Sequence, residues 1–290
     1  MKQYVYFYIF YNNVNLYGRN MQIDTIIASS PLVKSQLPAT DYVINPYSGC
    51  SHACRYCYAV FTKRFTRCRA FQDAPWGTYI MVKDYKNKKI QLEKIKEKVV
   101  LLSSVTDPYQ PIEKEYRVTR QCLELLRPAE AYVEILTKSD LVLRDIDLLK
   151  TIPHLTVGIS LVTDNDSIRH NFEPNAPSVE RRVAALKELK ASGIKTYLFI
   201  SPILPGLTGV TALAKLLGNY ADKLMFENLN LREPYKKTIF TLIKRNYPHL
   251  IGLYKEIYIL KNIAYWREVE NEIAGIDHVN KQIFFHHGIT

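Results

Sequence analysis

Asn45-Pro46-Tyr47-Ser48-Gly49-Cys50-Ser51-His52-Ala53-Cys54-Arg55-Tyr56-Cys57-Tyr58 places three cysteines in one short loop. Gaps of three and two residues let three thiolates wrap one corner of a 4Fe-4S cubane, because each sulfur must reach a different iron. The fourth iron is then left without a protein ligand and can take a small molecule. A closed tetrahedral zinc site, built from the same thiolates plus His52, is the competing reading. Zinc knuckles carry paired Cys or His motifs, and no second pair follows here. A disulfide framework is disfavoured because the chain holds five cysteines, an odd number, with three crowded into one loop and no secretory signal. Cys68 and Cys122 read as ordinary reduced thiols, Cys122 within a helical pattern from Val118 to Arg127.

Outward from the loop, apolar β-branched runs alternate with helical segments and short polar turns, a pattern that favours a parallel sheet. Candidate strands are Tyr42 to Ile44, Val99 to Ser103, Ala131 to Leu136, Leu155 to Ser160, Lys195 to Ile200 and Lys223 to Phe226. A helix at Val179 to Lys190 shows the pairing logic. Val179, Val183, Leu186 and Leu189 form one stripe, Ser178 caps the start and Gly193 follows the end. Right-handed crossovers curl six such units into an α/β fold, a partial (β/α)6 TIM-type barrel with reactive loops at the carboxyl edge. The cysteine loop follows the first strand, as that rule requires. Residues 1–40 read as an N-terminal extension, 41–230 as the core and 231–290 as a C-terminal helical cap. Tyr4 to Tyr11 is too short for a membrane span and reads as a strand, so the expectation is no membrane association and a reducing cytoplasm.

The chain has 290 residues and a net charge of +11. Residues 51–100 hold 12 Lys and Arg against 4 Asp and Glu, a local balance of +8. Lys63-Arg64-Phe65-Thr66-Arg67-Cys68-Arg69 interleaves cations with Phe61, Phe65 and Phe71, a mixture suited to phosphates and stacked bases. Lys86 to Lys98 forms a second basic segment. The partner expected from residues 55–98 is therefore a nucleic acid, against the simpler reading of a solvated basic face.

Four motifs in register resemble the spore photoproduct lyase-like branch of the radical SAM superfamily. They are Asn45 to Cys57; Thr106-Asp107-Pro108-Tyr109-Gln110-Pro111-Ile112-Glu113; Glu173-Pro174 with Pro177-Ser178, Arg181-Arg182 and Ala185-Leu186; and Pro202-Ile203-Leu204-Pro205-Gly206. The resemblance covers about residues 41–206. It implies a 4Fe-4S cluster on Cys50, Cys54 and Cys57, S-adenosylmethionine on the open iron, a one-electron donor protein and a deoxyadenosyl radical that abstracts hydrogen.

By the same resemblance Tyr56 packs near the adenine, and Ser104 and Thr106 bond the cosubstrate's ammonium. Lys138 and Ser160 contact its carboxylate and ribose. Tyr58 lies near the substrate and radical path, and Glu227, after the sixth strand, faces the same mouth. His286-His287 read as solvated. The lyase uses a cysteine near the second-strand end to return hydrogen, and alignment on Asp107 puts Ser104 there. An alcohol O–H is far harder to split homolytically than a thiol S–H, so thymine-dimer repair itself is not expected. Three functions follow as expectations: a radical enzyme acting on nucleic acid or nucleotide, lyase-like in type; a radical enzyme modifying a peptide or protein; and a non-catalytic, metal-stabilised nucleic-acid-binding module.

Overall fold

The computed structural model describes residues 12–16, 19–66, 69–85, 88–233, 235–278 and 280–286. Tyr4 to Tyr11, Cys68, Lys86 and His287 lie outside them. All six expected strands form: β1 Tyr42–Ile44, β2 Val99–Leu102, β3 Tyr132–Thr137, β4 Leu155–Leu161, β5 Lys195–Ile203 and β6 Lys223–Asn228. They lie side by side in chain order, every pair parallel. β4 is buried along nearly its whole length, as a strand covered on both faces must be. β3 and β6 alternate, burying Val133, Ile135, Leu224 and Phe226. At Gly158 the Tyr197 ring lies across β4, where an added Cβ would meet it at 2.1 Å.

Helices cover the sheet where the sequence provides an apolar stripe. α1 Val118–Leu126 buries Cys122, Leu123 and Leu126, and α2 Asp166–Phe172 follows β4. In α3 Val179–Ala191 the Ser178 hydroxyl accepts from Arg181 N, and Val179, Leu186 and Leu189 are buried. Gly193 beyond it takes φ +78°, the left-handed conformation that closes a helix. α4 Val210–Leu217 precedes β6.

The segment after residue 231 departs from the helical expectation. α5 Tyr235–Asn246, α6 Ile251–Tyr258 and α7 Ala264–Ala274 are followed by a seventh strand, β7 Lys281–Phe284, parallel to β6. Four residues with two apolar side chains give too little periodicity to announce a strand. At the other edge Val33–Lys34 pairs antiparallel with β1. Among the described residues the two edges do not pair with each other, so the barrel is open.

A second, four-stranded sheet was not foreseen. Arg19–Ile27 pairs antiparallel with Asn12–Leu16 and parallel with Tyr79–Asp84, which in turn pairs antiparallel with Tyr47–Ser48. Tyr47–Ser48 lies immediately before the first cysteine, so this sheet holds the entrance to the cysteine loop.

Candidate active site at the barrel mouth

Tight packing fixes the cysteine loop at its ends. Gly49 has φ +83°, and a Cβ there would sit 2.3 Å from the Tyr79 carbonyl oxygen, so only glycine passes this point. Inside the loop, the motif after β2 acts as a brace. The Thr106 hydroxyl donates to the Gly49 carbonyl at 2.6 Å, and Gln110 donates to the same oxygen at 3.3 Å while accepting from Ser51 N at 2.9 Å. From the far side, Asn175 donates to Ser51 O at 2.9 Å. Cys50 and Cys54 are buried, Cys57 is half-buried, and all three are free thiols.

Next to the loop lies a charged network built on Glu173 and Arg182, two motif residues to which the sequence alone assigned no role. Glu173 is fully buried; it accepts from Tyr56 OH and pairs with Arg182, also fully buried, at 2.5 Å. Arg182 further donates to the carbonyls of Ser160 and Pro177. The Lys138 ammonium lies 3.8 Å from Glu173, donates to Ser160 Oγ at 3.1 Å and sits 5.9 Å from the Tyr56 ring centroid. Tyr56, Lys138 and Ser160 therefore come together, with Glu173 as their hub. Burial works to neutralise these groups. Nevertheless, Arg182 and Lys138 hold the Glu173 carboxyl below its ordinary range, and Glu173 and Cys54 hold Lys138 above its own.

Ser104 and Thr106 are both engaged by the cysteine loop and its flanks. Thr106 braces the loop backbone as described. Ser104 is tied to Asn45, which donates to its hydroxyl and accepts from its backbone N–H at 3.0 Å, and its carbonyl accepts from Tyr58 OH. Tyr58 is half-exposed in side-chain area, and burial of its hydroxyl, with Cys57 and Glu227 nearby, raises its pKa. Glu227 accepts from Ser201 Oγ at 2.6 Å and contacts His286 Nε2 at 3.2 Å. That contact corrects the reading of His286 as merely solvated, because β7 carries it back to the mouth. Cys122 is completely buried in the apolar core and cannot serve as a hydrogen donor at the mouth.

The loop's chemistry suits a cluster better than a single ion. Three thiols lie within eight residues, the donor set that a cubane takes with each sulfur on its own iron. A mononuclear site would need every donor within about 2.3 Å of one point, whereas a cubane spreads its sulfurs over separate irons. His52 does not complete a zinc shell; it is buried with Nδ1 3.4 Å from Asp107 Oδ2. Burial disfavours the imidazolium, but Asp107 and Cys50 outweigh it and raise the pKa to about 9. Burial pushes the Cys57 thiol up to about 12 and raises the Cys54 thiol well above its ordinary value, so a metal has to displace both protons.

The rim next to the loop carries the exposed aromatics of the 3-10 helix Tyr58–Phe65. Phe61 and Phe65 are exposed, and the Arg64 guanidinium lies 5.5 Å and 4.7 Å from their ring centroids. Phe71, grouped with them in the sequence, is instead completely buried near Tyr79. Among the described residues no helix is long and apolar enough to cross a membrane.

Comparison with known proteins agrees with this architecture. The Radical SAM superfamily model matches residues 44–214. Uncharacterized protein MJ0683 of Methanocaldococcus jannaschii is 36% identical over 266 residues, 92% of this chain and 98% of that protein. A protein named Radical SAM Nalpha-GlyT isomerase, from Pseudomonas phage M6, is 31% identical over 170 residues, 56% of this chain and 33% of its own. Among solved structures, spore photoproduct lyase complexed with dinucleoside spore photoproduct superposes with a TM-score of 0.65 at 17% identity, covering 91% of this chain and 82% of that one. That likeness is one of fold.

Proposed function

Because the chain belongs to the radical SAM superfamily, we propose that Cys50, Cys54 and Cys57 hold a 4Fe-4S cluster, that S-adenosylmethionine takes the open iron, and that the substrate is a nucleic acid or nucleotide. When bound, the cluster and cosubstrate supply one-electron reductive cleavage of the sulfonium and a radical able to abstract hydrogen. The observation that carries this reading is the trio of free thiols on one braced loop, directly above the Tyr56–Glu173–Lys138–Ser160 network.

The residues divide the work. Lys138 supplies a fixed cation for the cosubstrate's carboxylate, and Ser160 orients Lys138. Tyr56, immobilised by Glu173, offers its ring beside the nucleoside. Thr106 acts through the loop, and Ser104 acts by holding Tyr58 at the mouth. Tyr58 and Glu227 border the space open to substrate, with Glu227 in contact with His286. Support for a nucleic acid comes from the exposed rings of Phe61 and Phe65 with Arg64 across them, since aromatic rings stack on any base and the cation meets phosphate. The proposed first step is hydrogen abstraction; because Ser104 offers no thiol to return hydrogen to a product radical, the lyase's repair cycle is not part of the proposal.

Anaerobic reconstitution, reduction with dithionite and measurement of deoxyadenosine, with and without single-stranded oligonucleotides, tests the proposal. Formation in the wild type, stimulation by oligonucleotide and loss in Cys54→Ala are expected. Deoxyadenosine formation that peptides stimulate and oligonucleotides do not would move the substrate to the peptide class.

A further inference from the structure

Arg55 lies between two of the thiolates in sequence, yet its side chain is exposed and lines a cleft of about 400 Å³ against α5. Along that helix Lys237, Thr241 and Arg245 follow one another at intervals of four, a single stripe rising about 12 Å. Thr238 and Asn246 complete the polar wall, and no acidic side chain lines it. Among the described residues, neither Arg55, Lys237 nor Arg245 is paired with a carboxylate within 4.0 Å, unlike Arg120, Arg144, Arg169, Arg181 and Arg182. Three unneutralised cations around one concavity repel each other, an arrangement that an external anion relieves.

The cleft is separate from the mouth. Lys138, Ser160, Ser201 and Glu227 do not line it, and Tyr56, the next residue after Arg55, turns inward to Glu173. It nonetheless abuts the loop that holds the thiols, one residue from Cys54. An electron bound for that loop needs an approach that leaves the mouth free for cosubstrate and substrate.

We propose that the Arg55–Lys237–Arg245 cleft is the docking site of an acidic, one-electron carrier protein of the flavin or iron–sulfur type. The proposal rests on the function proposed above. One electron leaves the reduced carrier, which is oxidised by one equivalent, and reduces the cluster by one equivalent; no atom or proton crosses the interface. A small, charged patch suits such a partner, because electron-transfer encounters bury little surface and depend on steering by complementary charge. The net charge of +11 favours approach of an acidic protein in general, and the cleft gives it one address.

The test compares wild type with Lys237→Glu/Arg245→Glu and with the milder Lys237→Gln/Arg245→Gln, using a purified acidic flavodoxin. Two quantities are read: affinity by titration calorimetry, and the rate of cluster reduction by the reduced flavodoxin in rapid mixing. We expect wild-type affinity and rate to fall steeply with added salt. The charge reversal should lower both about tenfold or more at low salt, and the neutral pair should lie between. Deoxyadenosine formation driven by dithionite, which needs no docking, should stay at the wild-type level in both variants. Unchanged affinity and flavodoxin rate would overturn the assignment. So would loss of oligonucleotide affinity with normal flavodoxin kinetics, which would make the cleft a nucleic-acid seat, and so would a parallel fall in the dithionite reaction. Failure of the parent reading looks different: the wild type itself would yield no deoxyadenosine with dithionite, while calorimetry would still report on docking.

Discussion

Glu173 carries the heaviest electrostatic load near the thiols, holding Arg182, Lys138 and Tyr56 around one carboxylate that no water reaches. Removing one partner of a buried pair strands the other charge, so Glu173→Ala should cost about 3–5 kcal/mol, read by chemical denaturation of the metal-free chain. Replacing the pair together, Glu173→Leu with Arg182→Met, should recover much of that loss while abolishing cosubstrate affinity. Asp107 gives a pH signature. Burial opposes its ionisation, but His52, Thr137 and the Lys138 N–H prevail and lower its pKa to about 2. A depressed carboxyl stabilises the fold above its unfolded pKa of about 3.9 and loses that contribution as pH falls through the folded value. The contribution is about 2 kcal/mol, lost between about pH 5 and pH 1. Asp107→Asn should therefore flatten the acid limb of a stability–pH curve, and an unaltered limb would remove Asp107 from this role. The cysteines were legible because they are neighbours in sequence. The Glu173 hub was not, because Tyr56 and Glu173 are 117 residues apart and nothing local marks their meeting.

At the scale of elements, the cysteine loop is a rigid part built from several others. Gly77, at φ +89°, packs so closely that an added Cβ would lie 2.3 Å from the Ala53 Cβ between the first two thiols. Gly77→Ala should lower iron loading severalfold while far-ultraviolet circular dichroism stays native, and normal loading would show that the loop tolerates displacement. α3 offers a control remote from the thiols. Ser178→Ala removes its cap and should cost about 1 kcal/mol with iron loading unchanged. The core strands were readable because apolar β-branched runs ended in Gly, Pro or polar turns. β7 and the pairing of Tyr47–Ser48 were not, because strands of four and two residues carry almost no periodicity and form only through partners distant in the chain.

Across the whole molecule, the open parallel barrel collects three groups of side chains at the carboxyl ends of its strands: the thiols after β1, Lys138 after β3 and Glu227 on β6. The smaller sheet holds the loop from outside, and β7 returns His286 to Glu227 across 59 residues. The order and direction of the six core strands followed from alternation of strand and helix, whereas the second sheet and the return of β7 depend on long-range pairing that alternation does not encode. In the proposed enzyme three thiolates leave one iron of a cubane free for S-adenosylmethionine. Mössbauer spectroscopy of the anaerobically reconstituted, iron-57-labelled protein, recorded with and without S-adenosylmethionine, tests it most directly. A four-iron cluster in which one iron changes its signal on addition of the cosubstrate is expected, as is loss of that cluster in Cys54→Ala. A spectrum that the cosubstrate leaves unaltered, or a purified protein that takes up one zinc ion and no iron, would contradict the proposal.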